Sequence, residues 1–290
     1  LACASVTNIV LDILFIRVFN MGVAGVAWAT FIAQGVSSVL ALITVLRRLG
    51  KIKSDEKPEM FSAKLLGSVC VVAIPSILQQ SFVSVGNLFI QRLVNLFGSS
   101  VMAGYSSAIK INTFAITSFT ALGNSMSSFT AQNMGAEKPE RIKEGYKEGI
   151  KIALMAAAVF FALFFVFGKN LLNLFLDDTS EEALRAGMMF LKIVAPFYFA
   201  VTIKILTDGL LRGAKAIMCF TASTFFDLIL RVVLAYIFVA ATELGSTAIW
   251  LSWPIGWVLS TALSVFFYFH SFRRKKEETA PHRALHATRR

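Results

Sequence analysis

Eight long apolar segments, separated by short charged or Gly-containing connections, constrain this chain more than any other feature of its sequence. About 20 helical residues cross the hydrocarbon core of a bilayer, which is roughly 30 Å thick. The predicted spans are 1–19, 23–48, 63–97, 101–133, 143–167, 183–212, 215–240 and 246–271. Because the apolar runs are continuous rather than alternating, they favour helices, which satisfy their own backbone hydrogen bonds in lipid.

The composition excludes the main alternatives to a membrane protein. Only 16% of the 290 residues are charged and 56% are apolar, whereas soluble domains carry about 25% charged residues. Disordered chains combine low hydrophobicity with high charge, which is the opposite pattern. The sequence therefore predicts an all-α integral membrane protein with eight transmembrane helices.

The net charge of +11 is distributed unevenly over the connections. Cations cluster after the second, fourth, sixth and eighth spans, whereas the other connections hold one cation, Lys169. By the positive-inside rule the even-numbered spans end in the cytoplasm, as does the C-terminus, in a plasma (inner) membrane protein. The basic residues do not interleave with aromatic ones, so no nucleic-acid surface is predicted. Cys3, Cys70 and Cys219 lie far apart in apolar segments, and no metal-ligand spacing is present.

An incomplete internal repeat indicates how the spans are organised. Gly25-Val-Ala-Trp28 matches Thr247-Ala-Ile-Trp250, and an acid and a cation precede each segment, Asp12 with Arg17 and Asp227 with Arg231. Both copies run in the same direction, so the repeat axis lies along the membrane normal. We expect residues 1–48 to be the last two helices of a truncated lobe, 49–62 a cytoplasmic linker, 63–272 a complete six-helix lobe and 273–290 a basic tail.

Several motifs resemble those of MATE (multidrug and toxic compound extrusion) transporters. They are Asn8 to Ile16 with Gly22 to Ala27, Ile74-Pro75 to Gln80, Ala121 to Asn124, Ala131 to Ala136, and Leu210-Leu-Arg212-Gly213. The resemblance implies two six-helix lobes around a cavity and export coupled to Na⁺ or H⁺ through embedded carboxylates. The positions that match the family's C-terminal-lobe carboxylates carry Val83 or Ser84, and Val201.

Polar residues recur at helical spacing along the third and fourth spans, where each set occupies one face. Unpaired polar groups are costly in hydrocarbon, so these faces either bond to each other or line a wet cavity. The long amides and the lysine favour a cavity. The predicted substrate-cavity residues are Gln80, Ser84, Asn87, Gln91, Lys110, Thr113, Thr117 and Asn124.

Charged residues and prolines within the spans supply further candidates, because intramembrane charge usually marks an ion or substrate path. Asp12 and Asp227 are the predicted ion-coupling acids. Asp227 and Arg231 are also predicted to form a structural i,i+4 pair. Pro75 and Pro196 are predicted hinges, since proline removes a helical hydrogen bond.

The predicted function is antiport of small organic, mostly cationic solutes or drugs in exchange for H⁺ or Na⁺, by rocking of two lobes. Membrane lipids are the other expected partner; no cofactor is expected, and the sequence indicates no oligomeric state. A lipid-linked saccharide flippase is the alternative, with Lys110 and Lys192 facing a pyrophosphate. A membrane enzyme using Asp177, Asp178, Glu181 and Glu182 is a third possibility, although no second acid motif accompanies these residues.

Overall fold

A computed structural model describes residues 2–51, 61–176 and 181–287, and every regular element in those ranges is a helix. The predicted linker 49–62 falls mostly outside the described residues, as do Asp177 and Asp178. The α-helices are α1 Ala2–Ile13, α2 Gly22–Leu49, α3 Ala63–Asn95, α4 Ser99–Gly135, α5 Pro139–Asn173, α6 Glu181–Val194, α7 Tyr198–Gly213, α8 Ile217–Ala241 and α9 Thr247–Ala287. A π-helical turn, Leu14–Val18, follows α1, and a 3₁₀ turn, Ala195–Phe197, joins α6 to α7.

Six helical segments among the described residues are long and apolar enough to cross a membrane. They are Gly22–Leu49, Ala63–Asn95, Pro139–Asn173, Glu181–Gly213, Ile217–Ala241 and Thr247–His270. Two of the eight predicted spans are not among them. The first corresponds to α1, which has only 12 residues before the π-helical turn. The fourth corresponds to α4, which has 37 residues but carries the row of hydroxyl, amide and Lys side chains.

The chain divides into two compact units, Leu1–Ala63 and Lys64–Arg290. In the first unit α1 packs on α2, where Asn8 Nδ2 donates to Thr30 Oγ1 at 3.3 Å. In the second unit α4 packs against α5, α6 and α7, and α9 packs against α6, α7 and α8. The second unit contains the aromatic core and the candidate site.

Aromatic rings form the centre of the second unit. Tyr105 of α4 stacks on Trp250 of α9 with 5.0 Å between ring centroids, and Phe190 of α6 meets Trp250 edge-on at 5.4 Å. Trp250, Phe190 and Tyr198 are fully buried. Large rings in these offset and edge-to-face arrangements bury much apolar area and fix the mutual orientation of α4, α6, α7 and α9.

Glycines bring the backbone of α4 into contact with its neighbours. A Cβ atom at Gly209 of α7 would lie 2.1 Å from the carbonyl oxygen of Gly123, and one at Gly104 would lie 2.0 Å from that of Ala183 on α6. Any side chain at these positions would force the helices apart, since real Cβ contacts are longer. Small residues at helix crossings are the usual means of close packing in membranes, where the hydrophobic effect does not drive helices together.

Large apolar side chains cover the outside of the second unit. Met155 of α5 and Met218 of α8 are 69% and 79% exposed, and Phe114 of α4 is 68% exposed. A soluble protein rarely presents so much apolar surface, whereas lipid chains solvate it. The protein is a multi-pass membrane protein.

The two predicted hinge prolines lie in different helical settings. Pro196 occupies the 3₁₀ turn Ala195–Phe197, which interrupts the long Glu181–Gly213 segment. Pro75 lies inside α3, which continues on both sides of it. Proline cannot donate the helical hydrogen bond, so each is a point of lower bending resistance. Motion at either proline remains a prediction.

Candidate functional site

A cavity of about 800 Å³ opens within the Lys64–Arg290 unit, between α3, α4, α7, α8 and α9. Its polar and charged lining side chains are Ser76, Gln79, Gln80, Asn87, Gln91, Ser106, Lys110, Asn112, Thr113, Thr120, Lys204, Asp208, Arg212, Thr224, Asp227 and Arg231. Its aromatic lining residues are Tyr105, Phe220, Trp253 and Trp257. A space of this size can hold a drug-sized solute.

The polar faces of α3 and α4 meet at this cavity. Five of the eight predicted substrate-cavity residues line it, namely Gln80, Asn87 and Gln91 from α3 and Lys110 and Thr113 from α4. α3 reaches this position by packing on α8, where Phe82 and Phe225 lie edge-on with 4.9 Å between centroids. Thr113 donates its hydroxyl proton to the Ile109 carbonyl at 2.8 Å, so that proton is not available to a solute.

Three other predicted cavity residues, Ser84, Thr117 and Asn124, are not among the lining side chains. The Ser84 hydroxyl donates to the Gln80 carbonyl at 3.1 Å within its own helix. Asn124 accepts a 2.8 Å hydrogen bond from Arg212 Nη2, so its amide joins α4 to α7. Helical spacing identifies a face but not which turns of that face border an opening.

A buried ion pair forms part of the α7 wall. Lys204 Nζ lies 2.7 Å from Asp208 Oδ2, and the two side chains are only 7% and 8% exposed. Ser264 of α9 donates to the other carboxylate oxygen, Oδ1, at 2.7 Å. Both oxygens of Asp208 are therefore satisfied, as a buried carboxylate requires.

Three fully buried serines connect α8 and α9 beside this pair. Because Ser264 gives its hydroxyl proton to Asp208, Ser223 is the donor in the short hydrogen bond between Ser223 and Ser264, and the Ser260 carbonyl lies 3.5 Å from the same Ser223 hydroxyl. Ser260 in turn donates its hydroxyl proton to Asp227 Oδ1 at 3.2 Å. The two cavity-lining carboxylates, Asp208 and Asp227, are thus held by the same group of serines.

Asp227 and Arg231 do not form the predicted pair: no ion pair between them occurs in the described part of α8. Asp227 is instead held by Ser260, and the Arg231 guanidinium carbon lies 4.3 Å from the centroid of the Trp253 ring. The i,i+4 spacing permits pairing, but partners on α9 direct each side chain elsewhere. Both residues line the cavity.

Asp12, the other predicted ion-coupling acid, belongs to the Leu1–Ala63 unit. It lies near the end of α1, two residues before the π-helical turn Leu14–Val18. Its Oδ1 atom is buried and has no hydrogen-bond partner among the described residues. π-Helical turns are frequent at functional sites, so Asp12 remains a candidate ion-coupling acid.

Several lining residues were not predicted from the sequence. The aromatic residues Trp253 and Trp257 of α9 and Tyr105 of α4 give no signal in an apolar span, because aromatic side chains suit lipid equally well. For Lys204 and Asp208 the i,i+4 spacing of a cation and an acid within a span does predict the ion pair that the structure contains, but not its position in a cavity wall. Lys110, in contrast, is a predicted cavity residue. It is exposed at the cavity, and its Nζ atom lies 5.5 Å from the Phe175 ring centroid.

The chain matches the MatE family model over residues 75–237. It is 31% identical over 270 residues to a protein named probable multidrug resistance protein YpnP of Bacillus subtilis (strain 168), covering 92% of this chain and 59% of that protein. It is 23% identical to probable multidrug resistance protein YoeA of the same strain, covering 96% of this chain and 61% of that protein. The chain thus spans about three fifths of the length of these relatives.

Solved structures of MATE transporters share the fold of this chain. The outward-facing structure of a multidrug resistance MATE family transporter of the MOP superfamily superposes with a TM-score of 0.85 at 25% identity, covering 95% of this chain and 62% of that one. A MATE structure in the straight conformation gives the same TM-score at 24% identity. From its sequence, its fold and its relatives, this chain belongs to the MATE family of multidrug efflux transporters.

Proposed function

We propose that the protein containing this chain exports organic solutes across the plasma membrane in exchange for H⁺ or Na⁺, with the even-numbered predicted spans ending in the cytoplasm. The observation that carries the proposal is the 800 Å³ cavity, which combines amide, hydroxyl, charged and aromatic side chains inside a helical membrane unit. Such a lining suits amphipathic solutes, because rings supply contact area and sparse polar groups fix orientation. The relatives are named as multidrug resistance proteins.

Coupling to an ion gradient requires an acid that binds the ion in one conformation and releases it in another. Asp12 and Asp227 are our candidates, since neither is in an ion pair among the described residues. Asp208 is a weaker candidate, because its carboxylate is already occupied by Lys204 and Ser264. Rocking of two lobes, with bending at Pro75 or Pro196, completes the proposed cycle.

Family membership favours efflux over the flippase alternative. Lys110 lines the cavity but Lys192 does not, so the pair of lysines expected to hold a pyrophosphate is not gathered in one place. The enzyme alternative depends on Asp177 and Asp178, which lie outside the described residues. MATE proteins are transporters, and no observation on the described residues favours an enzyme.

We predict that full-length protein in proteoliposomes transports the organic cation ethidium in response to an opposing pH or Na⁺ gradient. The flux should rise several-fold when the gradient is imposed and return to the level of protein-free liposomes when an ionophore collapses it. Testing the two gradients separately identifies the coupling ion. Ethidium flux that is the same with and without either gradient would contradict antiport.

A further inference from the structure

We propose that Arg231, whose guanidinium lies over the Trp253 ring, forms a subsite for the anionic group of an aromatic solute, so that the cavity accepts carboxylate-bearing substrates as well as cations. The inference rests on the proposed function, since it assigns a substrate class to the same cavity. It depends on three features of Arg231: its burial, its missing counter-ion and its position on an aromatic ring.

Arg231 is 6% exposed, and its Nε atom has no hydrogen-bond partner among the described residues. A buried guanidinium carries five N–H donors in a planar fork that matches a carboxylate. Burying such a group without an acceptor is costly. The Nε atom itself is closed to solvent, so a solute can offer an acceptor only to the terminal N–H groups of this cavity-lining residue.

The acid best placed to neutralise Arg231 forms no ion pair with it among the described residues. Asp227 lies one turn earlier on α8 in the order that favours an ion pair. Its Oδ1 atom instead accepts from Ser260 and approaches Gly256 of α9, where a Cβ atom would lie 3.1 Å away. The absence of a side chain at Gly256 thus makes room for the carboxylate beside α9.

The remaining charges around the cavity leave an excess of positive charge. Lys110, Lys204, Arg212 and Arg231 face two acids, Asp208 and Asp227. Asp208 is occupied by Lys204 at 2.7 Å, and Arg212 binds Asn124. Arg231 is therefore the buried cation at the cavity that lacks both an acid and an amide partner among the described residues.

Trp253 fixes the guanidinium and adds an aromatic surface. The Arg231 Cζ atom lies 4.3 Å from the Trp253 ring centroid, and Trp253 meets Trp257 edge-on at 5.8 Å. A guanidinium that lies over an aromatic ring can still use its terminal N–H groups for bidentate hydrogen bonds to a carboxylate. A planar solute can then place its ring against Trp257 and its carboxylate at Arg231. An amphoteric solute could also place an ammonium group near Asp227, one turn away.

The test compares 2-naphthoate with its uncharged counterpart 2-naphthamide, using calorimetric titration of the purified full-length protein in detergent. We expect naphthoate to bind at least about tenfold more tightly, the usual worth of a charged hydrogen bond. Arg231→Gln should remove that preference, and Arg231→Lys should restore only part of it, because lysine lacks the planar fork. Arg92→Gln is the matched control, since Arg92 lies on α3 outside the cavity lining and should leave the preference intact.

Equal binding of the two probes by the wild-type protein would overturn the subsite, as would an unchanged preference in Arg231→Gln. If Arg231→Gln does not fold, Arg231→Lys provides the test. A preference for naphthoate over naphthamide as large as that of the wild-type protein would then overturn the bidentate arrangement. The ethidium assay separates this outcome from failure of the proposed function. Gradient-driven ethidium export without a naphthoate preference refutes only the subsite, whereas the preference without gradient-driven flux refutes only the antiport.

Discussion

Replacing Asp208 by Asn is expected to lower the free energy of unfolding by about 3–5 kcal/mol, the usual cost of breaking a buried ion pair by removing one partner. The substitution preserves shape but leaves the buried Lys204 ammonium without its counter-charge at 2.7 Å. Denaturant or thermal unfolding of the purified protein in detergent measures the change. We therefore expect Asp208→Asn to be one of the most damaging single substitutions in the cavity wall.

Two matched variants show whether charge is the cause. Asp227→Asn makes the same chemical change at the other cavity-lining aspartate, which has no ion-pair partner among the described residues and can still accept from Ser260 through its amide oxygen. Asp227→Asn should lower the free energy of unfolding far less than Asp208→Asn does. Adding Lys204→Met to Asp208→Asn removes the uncompensated charge and should recover most of the lost stability. Equal losses of unfolding free energy in the two Asp→Asn variants would contradict the Lys204–Asp208 ion pair as the cause.

Thr113→Phe is expected to reduce solute export at least about tenfold, because the ring would fill part of the cavity that Thr113 lines. Initial rates of gradient-driven ethidium export in proteoliposomes, corrected for the amount of folded protein, measure the effect.

Thr117→Phe is the control for this prediction. It introduces the same ring one turn further along α4, at a residue that does not line the cavity. Both threonines are exposed, so neither substitution should overpack the core. We expect the Thr117 variant to retain most of the wild-type rate. Similar losses at both positions would mean that the solute route is not confined to the cavity described above.

The sequence predicts the helical class and the polar faces because both depend on simple periodicities. A helix in lipid needs an apolar run, and a cavity wall needs polar residues three or four positions apart. Gln80, Asn87, Gln91, Lys110 and Thr113 follow this rule and line the cavity. Which turns of a face border the opening depends on how α3 and α4 cross α7 and α8, and no single-helix pattern contains that information.

Interactions between helices account for the predictions that fail. The spacing of Asp227 and Arg231 predicts a local pair, but Ser260 and Trp253 on α9 bind the two side chains separately. Asn124 looks like a cavity residue by spacing, yet it bonds to Arg212 of α7. In both cases the deciding partner is distant in sequence. The same holds for Trp253 and Trp257, whose apolar rings are indistinguishable by pattern from lipid-facing ones.

We infer that the polar face of α4 borders a water-filled, solute-binding space. The most direct test is the reaction of Thr113→Cys with a membrane-impermeant maleimide, in a background lacking Cys3, Cys70 and Cys219. Thiols react as thiolates, which form in water and not in lipid. We expect Thr113→Cys to be labelled rapidly and more slowly when ethidium is bound. We expect at least tenfold slower labelling of Phe114→Cys, a position that is 68% exposed but does not line the cavity. Labelling of position 113 as slow as that of position 114, or unaffected by ethidium, would contradict this inference.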